Sequence, residues 1–187
     1  MPKVVDHEKQ RAELLDGAFE LFADRGYAAL SMRDLARGLG VTTGTLYHYF
    51  KSKDVIFEAM VLRVVARDLS AATAQLSDDL TSRERLQLIF GWIVANQMDL
   101  RRVLLLVFDF QRHKGDDQAS QHLVAQASAS YRREFEAQVG LGPGAWALVL
   151  GGLIQGLLEP DLDDASDRFK ALEQLLFQGP PAGASLN

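Results

Sequence analysis

Thr43, Thr45 and Tyr47 place three hydroxyls within five residues, His48 follows them, and Lys51 and Lys53 add two ammonium groups just beyond. Groups of this kind suit a nucleic-acid duplex. The hydroxyls can bond phosphate oxygens or base edges, and the threonine methyls can touch a thymine methyl. The lysines can neutralise phosphates, which would make affinity fall with salt. Arg33, ten residues before Thr43, could fork onto a guanine. Each residue also has a plainer reading: Tyr47 or Tyr49 as core aromatics, Lys51 and Lys53 as a solvated turn, and Ser52 as the N-cap of the next helix, a role that Asp54 behind it favours.

Reading a duplex requires those groups to be held on a short, rigid helix. Ser31-Met32-Arg33-Asp34 has the form of a capping box that opens a helix. Met32, Leu35, Ala36 and Leu39 then form one apolar stripe. Gly40 supplies a left-handed residue that ends it, and Thr42 or Thr43 can cap the helix that follows. Upstream, Ala12, Leu15, Ala18, Phe19 and Phe22 share one face of a helix expected from His7 to Asp24, closed by Arg25-Gly26-Tyr27. Three helices can bury a small core together. Leu46 and Phe50, at i and i+4, point into it, which leaves Thr43, Thr45, Tyr47 and His48 largely facing outward. The pattern is a helix-turn-helix.

From His7 to Met60 the chain resembles the N-terminal DNA-binding domain of the TetR/AcrR family of transcriptional regulators. The matching run is Phe22, Gly26-Tyr27, Leu35-Ala36, Gly40-Val41, Gly44-Thr45-Leu46-Tyr47, Tyr49-Phe50 and Ser52-Lys53. The resemblance implies an all-α protein: a three-helix DNA-binding head followed by a helical ligand-binding and dimerisation domain. It also implies a homodimer, usually a repressor, released from its operator by a small molecule. Carried over by position, Arg33, Thr43, Gly44 and Thr45 would sit at base edges, whereas Tyr47, His48, Tyr49 and Lys53 would favour the backbone. An activator using the same head, or an architectural DNA-binding protein that senses nothing, would share these residues.

Charge supports specific rather than general binding. The 187 residues carry a net charge of −5, unlike a generic polyanion binder. Residues 1–53 hold eight Lys/Arg against seven Asp/Glu, the remainder twelve against eighteen, and the stretch 31–53 four against one. Positive charge is therefore concentrated on the proposed reading unit. The absence of cysteine removes thiol redox sensing, disulfides and thiolate metal sites, and is compatible with a reducing cytoplasm. No secretion signal or membrane-spanning run is present, so a cytoplasmic protein without a membrane partner is expected.

The remaining chain reads as helices over Asp54–Leu76, Thr81–Asn96, Asp99–Arg112, Asp116–Val139, Gly144–Leu158 and Ala165–Phe177, with breaks at Lys114-Gly115, Gly140-Leu141-Gly142-Pro143 and Glu159-Pro160. This gives a head over 1–53, an effector and dimerisation domain over 54–178, and a loose tail over 179–187. The helix from Gly144 is apolar around most of its circumference. Its glycines permit close helix approach, either at a dimer interface or inside one subunit. The interface reading takes in Gly151, Gly152, Gln155, Gly156, Phe169, Leu172, Leu175 and Leu176. An effector pocket needs apolar walls and a few polar anchors, and Trp92, Asn96, Leu104, Phe108, Gln111, Tyr131 and Trp146 are candidates, with core packing as the alternative for each. They suggest a largely apolar effector.

Asp109 and His113, with Asp116 and Asp117, have a loose metal-like spacing, but a histidine closing one helix before acids that open the next accounts for the same residues; no metal and no cofactor is expected. No nucleophile elbow, phosphate loop or dinucleotide fingerprint occurs, and Asp161, Asp163, Asp164 and Asp167 read as a solvated turn, so an enzyme is not expected. Leu176-Phe177-Gln178-Gly179-Pro180 resembles a site cut by picornaviral 3C-type proteases, though the helical pattern already explains its first half.

Overall fold

The computed structural model describes residues 7–159 and 164–178; the expected tail over 179–187, Pro160, Asp161 and Asp163 lie outside them. Among the described residues the fold is all-α, with nine helices and no strand: α1 (His7–Arg25), α2 (Met32–Gly38), α3 (Thr43–Tyr49), α4 (Lys53–Thr73), α5 (Ser82–Ala95), α6 (Gln97–Lys114), α7 (Gln118–Val139), α8 (Pro143–Leu158) and α9 (Ala165–Gln178). Most boundaries fall within two residues of those read from the sequence. α4 stops short of the expected Leu76, where the Thr73 hydroxyl donates to the Leu69 carbonyl at 2.8 Å. That bond offers the backbone an alternative to a further helical turn.

Packing divides the chain into two units. One runs up to Arg67 and resumes over Arg102–Ala127; the other takes Asp68–Arg101 and the chain from Ser128 onward. The whole helix-turn-helix lies in the first unit, and α4, α6 and α7 each contribute to both.

The first unit is built on α1, whose Leu14, Leu15, Ala18, Phe19 and Phe22 are all buried. Leu35 of α2, Leu46 of α3 and Phe50 join it as local pattern predicts, and Ile56, Phe57 and Met60 of α4 add to the same core. Leu106 and Phe110 of α6 and Leu123 of α7 join the same cluster from far along the chain. Phe57 and Phe110 stack at 4.1 Å, and Tyr27 meets both rings edge-on at 5.1 and 5.0 Å. Arrangements of this kind add about 0.5–1.5 kcal/mol per pair beyond the area they bury. Arg102 of α6 bonds Glu20 at 2.7 Å and Asp24 at 3.0 Å on α1.

In the second unit Leu86, Ile89, Phe90 and Ile93 of α5 pack with Phe135 and Val139 of α7, Ala145 and Val149 of α8, and Phe169 of α9. Thr81 and Glu84 form a capping box that starts α5, the Thr81 amide donating to Glu84 at 2.8 Å. Glu173 of α9 accepts from Arg83 at 2.7 Å and Gln87 at 2.8 Å on α5, and Arg83 in particular holds its carboxyl below the usual range.

Candidate nucleic-acid interface

The turn between α2 and α3 is built from local rules. The Ser31 hydroxyl accepts from the Asp34 amide at 3.2 Å, and the Asp34 carboxylate accepts from the Ser31 amide at 3.1 Å, which completes the expected capping box. Gly40 adopts φ +68°, a left-handed conformation that most side chains resist. The Val41 amide then donates back to the Ala36 carbonyl at 3.0 Å. Of the two threonines offered as the next cap, Thr42 serves: its hydroxyl accepts from the Thr45 amide at 3.0 Å and contacts the Thr45 hydroxyl at 2.8 Å.

α3 is fixed by Leu46, fully buried, and by Phe50, 1% exposed, beneath the Arg11 guanidinium at 5.2 Å. Anchoring at those two positions turns Tyr47 and His48 outward, while Tyr49 packs against the core. Tyr47 is 52% exposed, His48 and Gly44 are exposed, and Thr43 and Thr45 are half-buried. A methyl group added at Gly44 would find only the Thr42 hydroxyl, at 3.7 Å. The bare backbone there leaves room for a close neighbour from outside the chain. Arg33, on α2, is exposed and makes no hydrogen bond or ion pair among the described residues, whereas Arg37 lies 3.5 Å from Asp34. Lys51 is exposed.

Besides Thr45, two of the expected contact residues have hydrogen-bond partners inside the chain. The Tyr49 hydroxyl donates to Gln10 Oε1 at 2.7 Å and lies 3.2 Å from His7 Nδ1, tying the end of α3 to the start of α1. Lys53 donates to the Tyr27 carbonyl at 2.9 Å and sits 4.0 Å above the Tyr27 ring. Burial lowers its pKa, opposed by the charge of Asp54. An ammonium has three protons, so this arrangement leaves Lys53 donors to spare.

Around Tyr27 the sequence had signalled nothing beyond a helix end. Its hydroxyl donates to Asp54, its amide donates to Asp109 Oδ2 at 2.8 Å, and Lys114 reaches Asp54 at 3.2 Å. Burial, then the bond to Asp54, pushes the phenol well above its ordinary value. Burial also raises the Asp54 carboxyl, but the bonds from Tyr27 and Lys114 and the nearby lysine charges outweigh it, and its pKa falls. Asp109 and Lys114 belong to α6, so the later helix braces the junction between α1 and α4 within the first unit.

The other expected site residues are dispersed. Leu104, Phe108 and Gln111 lie in the first unit, with Phe108 49% exposed, and Trp92, Asn96, Tyr131 and Trp146 lie in the second. Asn96 caps α5, its side-chain amide donating to the Trp92 carbonyl at 2.8 Å. Tyr131 and Trp146 stack at 6.5 Å, and the Tyr131 hydroxyl donates to Asp68 at 3.0 Å. Asp68 is only 4% exposed, and nothing in the sequence singled it out. His113 Nδ1 lies 2.8 Å from the Asp109 carbonyl, a helix-end contact, and among the described residues no cluster of three or more possible metal ligands occurs.

The α8 glycines serve two faces. A Cβ at Gly152 would come within 2.8 Å of Leu172, and one at Gly156 would collide with Arg168, so both permit close packing of α9. Phe169 is buried, and Leu172 and Leu176 pack on the same cluster. Gly151 and Gln155 are exposed, in company with Leu148, Leu158 and Leu175. No single helix among the described residues is long and apolar enough to cross a membrane.

Comparison with known proteins places this geometry in context. Residues 14–60 match the family described as bacterial regulatory proteins, tetR family. The HTH-type transcriptional regulator PksA of Bacillus subtilis is 28% identical over 62% of this chain, an alignment that takes in 58% of its own length. The HTH-type transcriptional repressor Rv1474c of Mycobacterium tuberculosis is 31% identical over 73% of each chain. Among solved structures, the transcriptional regulator FadR from Bacillus subtilis, determined in complex with stearoyl-CoA, superposes with a TM-score of 0.74 over 90% of this chain and 98% of its own, at 16% identity.

Proposed function

Because this chain belongs to the TetR family of helix-turn-helix transcriptional regulators, we propose that it is a homodimeric repressor that binds a palindromic operator and leaves it when a small molecule binds. The observation that carries the reading is the outward set on α3, held rigid by Leu46 and Phe50. Thr43, Gly44 and Thr45, with Arg33 from α2, address base edges. Tyr47, His48, Lys51 and the remaining donors of Lys53 address phosphates, with Tyr49 holding the end of the helix in place.

Two such heads must meet half-sites about 34–36 Å apart or a multiple of that spacing. The outward side of α8 and α9, with Leu148, Gly151, Gln155, Leu158 and Leu175, pairs with a second copy. The effector is largely apolar and engages the Tyr131–Trp146 stack of the second unit, with Trp92 of the same unit as a further wall. The FadR complex supports a fatty-acyl thioester as its class. α4 contributes residues to both units. By linkage, an effector that weakens DNA binding tenfold must itself bind the DNA complex tenfold more weakly.

The test is native mass spectrometry of the full chain with a duplex enriched from a random pool, followed by titration with stearoyl-CoA. Two chains per duplex, released by the thioester, is the expected result. One chain per duplex would overturn the dimer, and a complex indifferent to acyl-CoAs of every chain length would overturn the effector class.

A further inference from the structure

Two aromatic side chains of the recognition helix cluster with His7 of α1, and the roles above leave the outer edge of the His7 ring unused. The His7 ring, on the first turn of α1, lies 6.1 Å from His48 and 6.0 Å from Tyr49, and His48 meets Tyr49 edge-on at 5.3 Å. Both imidazoles are exposed, next to Tyr47 and Lys51. The surface that presents donors therefore continues from α3 onto α1.

The hydrogen bonds give His7 a direction. Tyr49 donates its own proton to Gln10 Oε1 at 2.7 Å, so it offers His7 a lone pair. A hydrogen on His7 Nδ1, 3.2 Å from that oxygen, is the arrangement that complements this lone pair. Nε2 makes no hydrogen bond among the described residues. In the neutral ring it is a bare lone pair, which a phosphate oxygen repels. In the cation it is an N–H donor bearing positive charge.

We propose that His7 is a proton-gated phosphate contact, its imidazolium held through Nδ1 by Tyr49 and donating from Nε2 to the DNA backbone beside α3. The inference rests on the DNA-binding reading above and adds to it a residue and a pH dependence. His48 and Tyr49 of α3 face the ring; the other charged or titratable groups close by in sequence are Glu8, Lys9 and Arg11 on α1, and Tyr47 and Lys51 flanking the α3 pair. Arg11 is turned onto Phe50, and no carboxylate among the described residues pairs with either imidazole. A phosphate oxygen at Nε2 would stabilise the cation. Imidazole ordinarily titrates near pH ~6.5. Every proton taken up on binding makes log Ka fall by as much as one for each unit rise in pH, and a dimer carries two such residues.

The experiment is fluorescence anisotropy of the full chain on a duplex enriched from a random pool, from pH 5.8 to 8.0 at constant ionic strength. Wild type should bind about tenfold more tightly at pH 6 than at pH 7.5. His7→Gln should lose most of that slope while keeping the same melting temperature, since the side chain is exposed. His7→Lys, a permanent cation, should bind tightly at pH 7.5 with little slope. A wild-type slope near zero, or a full slope retained in His7→Gln, overturns the inference. A slope lost in His48→Gln but kept in His7→Gln overturns it in favour of the neighbour. No sequence preference by any variant at any pH is a different failure, that of the DNA-binding reading itself.

Discussion

Asp109→Ala is the substitution through which the brace between α6 and the head can be weighed. The Asp109 carboxylate accepts the Tyr27 amide at 2.8 Å, at a residue only 3% exposed. Hydrogen bonds to a charged acceptor contribute about 1.5–3 kcal/mol, and a buried donor left unpaired costs about 1–3 kcal/mol. The bond is part-buried, with the Asp109 side chain 22% exposed, which keeps the loss below the upper end of those ranges. The Asp109 ion pair with Arg112, 76% exposed on the arginine side, adds little. The expected loss is about 2 kcal/mol, or about 4–8 °C in melting temperature for a chain of this size. Asp109→Asn retains an oxygen at the same place and should lose about half as much. Urea denaturation gives the free energy, and hydrogen exchange at the Tyr27 amide shows where it acts. An alanine variant within about 0.5 kcal/mol of wild type, with the Tyr27 amide as protected as before, would refute the reasoning.

Three further outcomes follow from the same geometry. Arg33→Ala and Thr43→Ala should change the order of preference among duplexes by about 1–3 kcal/mol at particular base pairs, whereas Tyr47→Phe should weaken all of them alike; competition binding on a panel of single-base variants separates the two patterns, and equal loss on all sequences from the first pair would remove them from the base edges. The Asp54 pKa is depressed in the folded chain, so its contribution is present above the unfolded value near pH ~3.9 and is lost as pH falls through the folded value; Asp54→Asn should be less stable than wild type at pH 6, and the gap should narrow in urea titrations at pH 3. Leu148 and Leu175 are 38% and 39% exposed, and Leu148→Arg or Leu175→Arg should shift sedimentation toward the monomer without lowering the melting temperature of the isolated chain.

What could be read from the sequence was what adjacent residues decide. The Ser31-Asp34 box, the left-handed Gly40 and the Thr42 cap act over four residues or fewer, and Leu46 and Phe50 announce the buried face of α3 by spacing alone. Contacts across the chain could not be read this way. Lys53 looked like a free phosphate ligand because its bond to the Tyr27 carbonyl spans 26 positions, and Asp109 looked like part of a helix end because its bond to the Tyr27 amide spans 82. The α8 glycines implied close approach, yet only packing shows that Gly152 and Gly156 receive α9 while Gly151 stays open. Asp68 lacked any signal, because an aspartate in the middle of an amphipathic helix reads as solvated until Tyr131 is brought onto it.

The central claim is that the exposed side of α3 reads sequence as half of a symmetric pair. Selection of bound duplexes from a random pool by the full chain, at near-physiological salt, tests it most directly. The account predicts enrichment of an inverted repeat whose half-sites are about one helical turn apart or a multiple of it. A bound pool with no shared motif would contradict it.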